Sequence, residues 1–225
     1  TPIELIYNKS VEKHIKAYIL RGKTNISQML SKAEYYFPII EPILDSYNIP
    51  LELKYLPIIE SRFNPKAKSP VGARGMWQIM FNTAKEYDLI ISSYVDERMD
   101  VVKSTKAACE YFLESQGRFN DWTTSIASYN VGKGGVLKAI KRSGGKKNYW
   151  EYRPFLPKET REYIPKLIAA IYIMNYAEEY GIYPQKDNDI FDEEIDTIHI
   201  QRHLSFENLA SIINLSLEQI KKLNP

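Results

Sequence analysis

The run Leu56-Pro57-Ile58-Ile59-Glu60 sets an acid at the end of an apolar stretch, followed at once by Ser61-Arg62-Phe63-Asn64-Pro65. Leu53, Leu56, Ile59 and Phe63 recur at helical spacing, which predicts a short helix over residues 51–63 with Glu60 near its C-terminal end. Pro65 disfavours helical geometry at Asn64, so the helix should stop within a residue or two of the acid. A carboxylate there meets the negative end of the helix dipole as well as apolar neighbours. Both disfavour the charged form and raise the pKa, as a carboxylic acid needs if it is to donate a proton near neutral pH. The alternative is an acid at a helix end paired with Arg62 or another cation.

The segment Ser69-Pro70-Val71-Gly72-Ala73-Arg74-Gly75-Met76-Trp77-Gln78-Ile79-Met80 begins with small and turn-forming residues and continues as an apolar strip interrupted by one amide. Gly72 and Gly75 permit positive φ or close approach, and Trp77 offers a flat apolar face of the kind that stacks on sugar rings. Farther on, Ser128-Tyr129-Asn130-Val131-Gly132 closes a predicted helix, and Glu159-Thr160-Arg161-Glu162-Tyr163 opens a later one. Taken singly, these read as a capped turn and as first-turn acids serving a helix dipole.

Together and in this order, the segments resemble the catalytic domain of the lytic transglycosylases of the lysozyme-like superfamily, over roughly Leu51 to Tyr180. The family's Glu-Ser motif falls on Glu60 and Ser61, its glycine loop on Ser69 to Gly75, and its Gly-Leu-Met-Gln-Ile-Met stretch on Gly75 to Met80. Its Ala-Tyr-Asn-Ala-Gly motif falls on Ser128 to Gly132, and its Glu-Thr-Arg-x-Tyr motif on Glu159 to Tyr163. Trp77 departs from the usual methionine, and Ser128 and Val131 from alanines, which bears on substrate fit rather than on the reaction. The tryptophan, the N-terminal helical segment and the tail are most similar to the membrane-bound murein transglycosylase D type.

The resemblance implies cleavage of the β-1,4 bond between N-acetylmuramic acid and N-acetylglucosamine, with the muramoyl C6 hydroxyl taking the place of water. Glu60 would act as acid and then as base, and the 2-acetamido group would assist at C1, so no second carboxylate is required. Between Glu60 and Met80 there is none. The resemblance further implies that Ser61, Ser69 and Gln78 contact the sugar, that Met80 lines the site, and that Tyr129 and Asn130 orient the acid or its sugar. Glu159 and Tyr163 would support the far wall, with plain helix packing as their other reading. No metal and no cofactor are implied. His14, His199 and His203 lie far from the motifs in sequence and read as solvated surface positions.

The chain of 225 residues can bury one full core with room for an appendage. Its 30 Lys and Arg against 28 Asp and Glu give no strong field toward nucleic acid or anionic membrane. Lys138, Lys141, Arg142, Lys146 and Lys147 read as a solvated face, with the acidic peptides of a wall polymer as a second reading. Cys109, the only cysteine, excludes an intramolecular disulfide and lies on an apolar helical face with Ala108, Phe112 and Leu113. No stretch approaches the length of a membrane span, and Thr1-Pro2 does not begin a signal peptide, so the chain reads as a mature or trimmed segment. The resemblance implies the periplasm or cell envelope of a bacterium, peptidoglycan strands as partner, and a lipid anchor to the outer membrane outside this chain.

The expected class is mainly α: a lysozyme-like domain over residues 1–184, an acidic linker at 185–196 and a partial LysM-like segment at 197–225. Helices are predicted over residues 4–21, from a cap at Ser27 to Leu44 with bends at Pro38 and Pro42, and from Asp96 or Asp100 to Ser115 with Gly117 as stop. Another runs from Lys158 past Met174. A small strand pair is predicted near Val71 to Ile79. The acidic run Asp187 to Asp196 lacks the glycine and terminal glutamate of a calcium loop. In the tail, Thr197 to Ile200 reads as a strand, Leu204 to Ile212 as a capped helix, and Leu215 to Pro225 as a second helix. This pattern resembles the front of a LysM module, although His203-Leu204-Ser205-Phe206 stands where Gly-Asp-Thr-Leu is usual and no second strand follows. Two other functions fit the same residues: a goose-type-lysozyme-like hydrolase and a catalytically silent peptidoglycan-binding protein.

Overall fold

The computed structural model describes residues 2–185, 198 and 200–224, and the chain divides into two compact units, Thr1–Gln185 and Lys186–Pro225. The larger unit is an all-helical assembly of α1 (Lys9–Arg21), α2 (Lys23–Ser46), α3 (Leu56–Ser61), α4 (Phe81–Glu86), α5 (Val101–Phe119), α6 (Trp122–Val131), α7 (Lys133–Arg142), α8 (Tyr149–Tyr152) and α9 (Lys158–Asn175). The smaller holds α10 (Phe206–Ile213) and α11 (Leu217–Leu223), which pack on each other.

α1 starts where the Asn8 side chain accepts from the amides of Ser10 and Val11, and it lays Val11 and Ile15 against α9. α2 begins earlier than predicted. Gly22 is its N-cap, and Ser27 lies within the helix, its hydroxyl donating to the Tyr183 carbonyl. Ile26, Met29, Ala33, Tyr36, Ile40 and Leu44 form one buried stripe on α2, and the helix runs unbroken through Pro38 and Pro42. These prolines are four residues apart on the exposed face, so the carbonyls of Glu34 and Pro38 that lose their helical donors belong to solvent-facing positions.

The predicted 51–63 helix is split. Leu51–Tyr55 is a 3-10 turn, and α3 follows with Pro57 in its first turn, where the missing N–H costs nothing. α5 is capped by Asp100, which accepts from Lys103 N at 2.8 Å, and it passes Gly117 to end at left-handed Asn120. Ala107, Ala108, Cys109 and Phe112 are buried, but Leu113 is 43% exposed, being turned about 100° from Phe112 around the helix. Burial pushes the Cys109 thiol up to about 12, an inert core group.

No strand forms at Val71 to Ile79 among the described residues. Arg74 makes isolated bridges to Lys68 and Ile79 instead, in a loop whose Gly72 and Gly75 lie at φ +90 and +80 and cannot continue a ladder. The expected acidic linker beyond Gln185 and half of the expected 197–200 strand lie outside the described residues, and Ile198 and Ile200 have no regular structure. Ser205 caps α10, and Ser216 with Gln219 forms a capping box on α11.

α9 carries Pro165 in its interior. A proline there strips the Arg161 carbonyl of its helical donor, and that carbonyl accepts from Arg153 Nε at 2.7 Å and from the Tyr149 hydroxyl at 3.0 Å. The helix survives its proline because α8 and the turn after it supply the missing donors.

A β-carbon at Gly75 would stand 1.7 Å from the Arg98 carbonyl oxygen, whereas one at exposed Gly117 would meet nothing within 4 Å. Thermal denaturation should therefore show Gly75→Ala losing more than about 4 kcal/mol. Gly117→Ala should gain about 0.5–1 kcal/mol by restricting the unfolded chain in a helix interior.

Candidate functional site

Glu60 occupies the last turn of α3, half-buried, one residue before the helix ends. The ending is abrupt. Arg62 and Phe63 both take the left-handed conformation, at φ 55 and 56, and their amides return to the carbonyls of Ile58 and Pro57 at 3.2 Å each. Two non-glycine residues at positive φ cost on the order of 1–3 kcal/mol each. Phe63 offsets this by full burial, stacked on Tyr36 and edge-on to Phe37.

The Glu60 carboxyl is pushed up to about 7, chiefly by burial. The Tyr163 hydroxyl, which donates to Glu60 Oε1, opposes the rise; the charge of Glu159 adds to it and that of Lys166 opposes it. The upward direction agrees with the sequence-based expectation. Its cause is narrower: the helix is only six residues long, and desolvation dominates. Arg62, the cation that would have neutralised the acid, makes no ion pair with it among the described residues.

Ser61 ties α3 to the loop, its hydroxyl donating to the Met76 carbonyl at 2.8 Å. Ser69 and Gln78 brace that loop. Ser69 Oγ accepts from Ala73 N at 2.9 Å, and the Gln78 amide donates to the Gly75 carbonyl at 2.8 Å from a backbone at φ 51. Met80 is 43% exposed at the loop's end. Trp77 is wholly buried and donates its indole N–H to Thr105 Oγ1 at 2.9 Å, so it is a core residue and not a sugar-stacking face. Arg98, which the motifs do not include, pins the loop from behind. Its guanidinium donates to the carbonyls of Gly72 and Ile79 while held in two contacts of 2.8 and 2.7 Å to Asp96.

The late motifs meet at the same place. Tyr129 donates to the Trp77 carbonyl at 2.8 Å, and its ring stacks on Phe112. Asn130 Oδ1 accepts from Thr160 Oγ1 at 2.7 Å, joining the end of α6 to the first turn of α9. Ser128, in place of the expected alanine, is buried with its carbonyl accepting from Tyr111 at 2.6 Å. Glu159 is exposed and reaches Glu60 only through its charge, whereas Tyr163 is buried against it.

In front of Glu60 opens a cavity of about 530 Å³, in which Glu60 is the sole carboxylate among the described residues. Ile58, Ile59, Glu60, Ser61 and Arg62 form one side, Lys166 contributes from α9, and the other side comes from α1 and α2 through His14, Tyr18, Asn25 and Met29. Ser69, Gln78, Met80, Tyr129, Asn130, Glu159 and Tyr163 do not line this space; they lie on the loop after α3 and on α6 and α9, and of them Tyr163 bonds to the acid. A groove of about 380 Å³ beside Leu30 and Phe37 contains none of the motif residues. His14 is not the solvated residue expected from sequence. It is half-buried, with Nε2 2.7 Å from Glu162, whose carboxylate also accepts from Ser10 and Arg153. The clue available for Lys166 was its place one turn beyond Tyr163 on α9. Nothing in the sequence brings α1 to the acid. Among the described residues no cluster of His, Cys, Asp and Glu could hold a metal ion.

The family model for the transglycosylase SLT domain matches residues 38–152, from the middle of α2 to α8. The chain belongs to the transglycosylase SLT domain family. A second model, the LysM-like domain of lytic transglycosylase MltD, matches residues 194–225. Membrane-bound lytic murein transglycosylase D of Escherichia coli (strain K12) is 33% identical over 93% of the chain, which spans 46% of that relative. A putative tributyltin chloride resistance protein of Alteromonas sp. (strain M-1) is 40% identical over 56% of the chain and 61% of its own length. The chain thus spans about half the length of the first of these curated relatives. Among solved structures, the 70 kDa soluble lytic transglycosylase of Escherichia coli superposes with a TM-score of 0.55 at 26% identity, covering 64% of this chain and 24% of its own. Its complex with bulgecin A gives 0.54 at 25% identity, covering 66% and 25%. The SLT domain here is lysozyme-like and mainly α, with isolated bridges in place of strands among the described residues.

Because folding raises the Glu60 pKa from 4.5 to about 7, the folded SLT domain holds a proton that the unfolded chain releases. The stability from that proton is full below about 4.5 and is lost as pH rises through about 7. Denaturation at a series of pH values should therefore show wild type falling relative to Glu60→Gln by on the order of 3 kcal/mol across that window. Carboxyl titration followed by NMR should move above 7 in Tyr163→Phe, which removes a hydrogen bond favouring the carboxylate.

Proposed function

We propose that this chain is a peptidoglycan lytic transglycosylase that cleaves the β-1,4 bond between N-acetylmuramic acid and N-acetylglucosamine and leaves 1,6-anhydromuramic ends. The observation that carries the reading is a single carboxyl facing a cavity, with its pKa raised to about 7 by burial and one oxygen fixed by a tyrosine. Such a group is part protonated and part ionised at neutral pH, as one residue must be to serve as acid and then base. Family membership and the names of the relatives support the same substrate.

In the first half-reaction Glu60 gives its proton to the glycosidic oxygen as the bond to C1 breaks, and the neighbouring acetamido oxygen closes on C1 from the opposite face. In the second, the Glu60 carboxylate takes the proton of the C6 hydroxyl while that oxygen bonds to C1 and the acetamido group leaves. The Glu60 proton is restored and no water is consumed. Tyr163 orients the carboxyl through both halves. Tyr129 and Asn130 fix the backs of the loop and α9, Ser61 lines the cavity beside the acid, and Ser69, Gln78 and Met80 would meet the sugar from the loop side, outside that cavity, with Glu159 adding negative charge. The domain reading assigns this reaction to residues 1–184 and sets a partial or degenerate LysM-like segment apart at 197–225. The expected setting is a bacterial periplasm or cell envelope, with any lipid anchor lying outside this chain.

Mass spectrometry of fragments released from purified sacculi should find anhydromuramic ends, with the rate reduced about a thousandfold in Glu60→Gln. Ordinary reducing ends would identify water as the acceptor and a hydrolase instead. No release from folded wild type would leave a binding protein.

A further inference from the structure

Two cations stand on the cavity wall with no carboxylate at ion-pair distance among the described residues. Arg62 follows the Glu60-Ser61 pair directly, and Lys166 lies one turn beyond Tyr163 on α9; both line the cavity, and neither makes an ion pair with a described residue. Other basic groups nearby are engaged. His14 turns Nε2 to Glu162, and Arg153 shares that carboxylate at 3.0 Å. Glu162 has both oxygens occupied by Ser10, His14 and Arg153 and does not line the cavity. Glu60 is the only described acid that does.

Both charges line the same space. Arg62 acts on Tyr18 of α1 and Lys166 acts on Glu60, so their fields overlap the space between α1 and the acid. The Arg62 backbone is held in its left-handed conformation by the hydrogen bond that its N–H donates to the Ile58 carbonyl and by Lys32, which donates to the Arg62 carbonyl at 3.2 Å. A half-enclosed space with surplus positive charge favours an anion, and a planar guanidinium beside an ammonium suits a carboxylate.

We propose that the cavity between α1 and Glu60 is a carboxylate-binding site, in which Arg62 and Lys166 take an acidic group carried on the muramoyl residue next to the scissile bond. The proposal rests on the muramoyl-glycan reading of this cleft. The carboxylate has two sources: the free lactyl group of a strand stripped of peptide, or the acidic residues of an attached peptide.

The test compares three glycan strands: peptide-bearing, stripped with a free lactyl carboxylate, and stripped with that carboxylate capped as its methylamide. Arg62→Gln and Lys166→Gln should raise KM about tenfold on carboxylate-bearing strands with far less effect on kcat, and their KM should converge with wild type on the capped strand. Arg62→Lys should restore much of the difference. A KM effect confined to the stripped, uncapped strand assigns the lactyl carboxylate, one confined to peptide-bearing strands assigns the peptide, and one on both shows that either carboxylate reaches the site. Equal losses on all three strands, or wild-type KM on all three, would overturn the proposal. Affinities of the same strands for the Glu60→Gln protein, with and without Arg62→Gln, read the site without turnover. A wild-type protein that binds carboxylate strands selectively but cuts none would end the transglycosylase reading while leaving the anion site standing.

Discussion

A carboxyl group taken out of water beside a tyrosine hydroxyl is the constraint on which the rest of this domain depends. Burial alone would leave Glu60 protonated and silent; full exposure would leave it ionised and unable to give a proton. The Tyr163 hydroxyl opposes the effect of burial, so the group comes to rest near 7. Holding that balance requires α3 and α9 at fixed separation, and the remaining motif residues serve this end more than they serve each other. Ser61 fastens α3 to the loop, Tyr129 fastens the loop to α6, and Asn130 fastens α6 to α9 through Thr160. With the bond from Tyr163 to the acid, these contacts close a ring around it.

Strain and satisfaction are distributed around that ring. Backbone cost is concentrated at Arg62, Phe63 and Gln78, all non-glycine residues at positive φ within the acid's own helix end and loop. The stabilising groups lie behind them: buried Phe63 among aromatic rings, and Arg98 with its carbonyl acceptors held by Asp96. The acid is thereby presented by a segment that cannot relax without disturbing the core.

Features that depend on close neighbours along the chain are legible in the sequence. The acid at a helix end, its stop ahead of Pro65, the Asp100 cap and the helical pair of the tail all follow from local spacing and capping chemistry. The features that sequence patterns misassign are those that depend on tertiary partners. Ser27 has the chemistry of a cap, but Gly22 starts α2, since the short α1–α2 turn needs a residue without a side chain near the Tyr18 carbonyl. Trp77 has the shape of a ligand face, but Thr105, 28 residues on, takes its N–H inside the core. His14 reads as solvated because its partner Glu162 is 148 residues away. In the site, the acid and its loop are readable, whereas the wall supplied by α1 and α2 is not, because no pattern within those helices names what they cover.

The bond between Glu60 and Tyr163 spans 103 positions of chain, and the clamp on α1 from Ser10 to Glu162 spans 152. Contacts of such separation close late, after the entropy of long loops has been overcome. A nascent chain that has emerged as far as α8 already carries the acid, the loop and the tyrosine of α6, yet lacks the phenol that sets the acid's proton. Biosynthesis thus delivers the acid before the phenol that sets its proton, and the surroundings of that acid are complete only when α9 packs against α1 and α3.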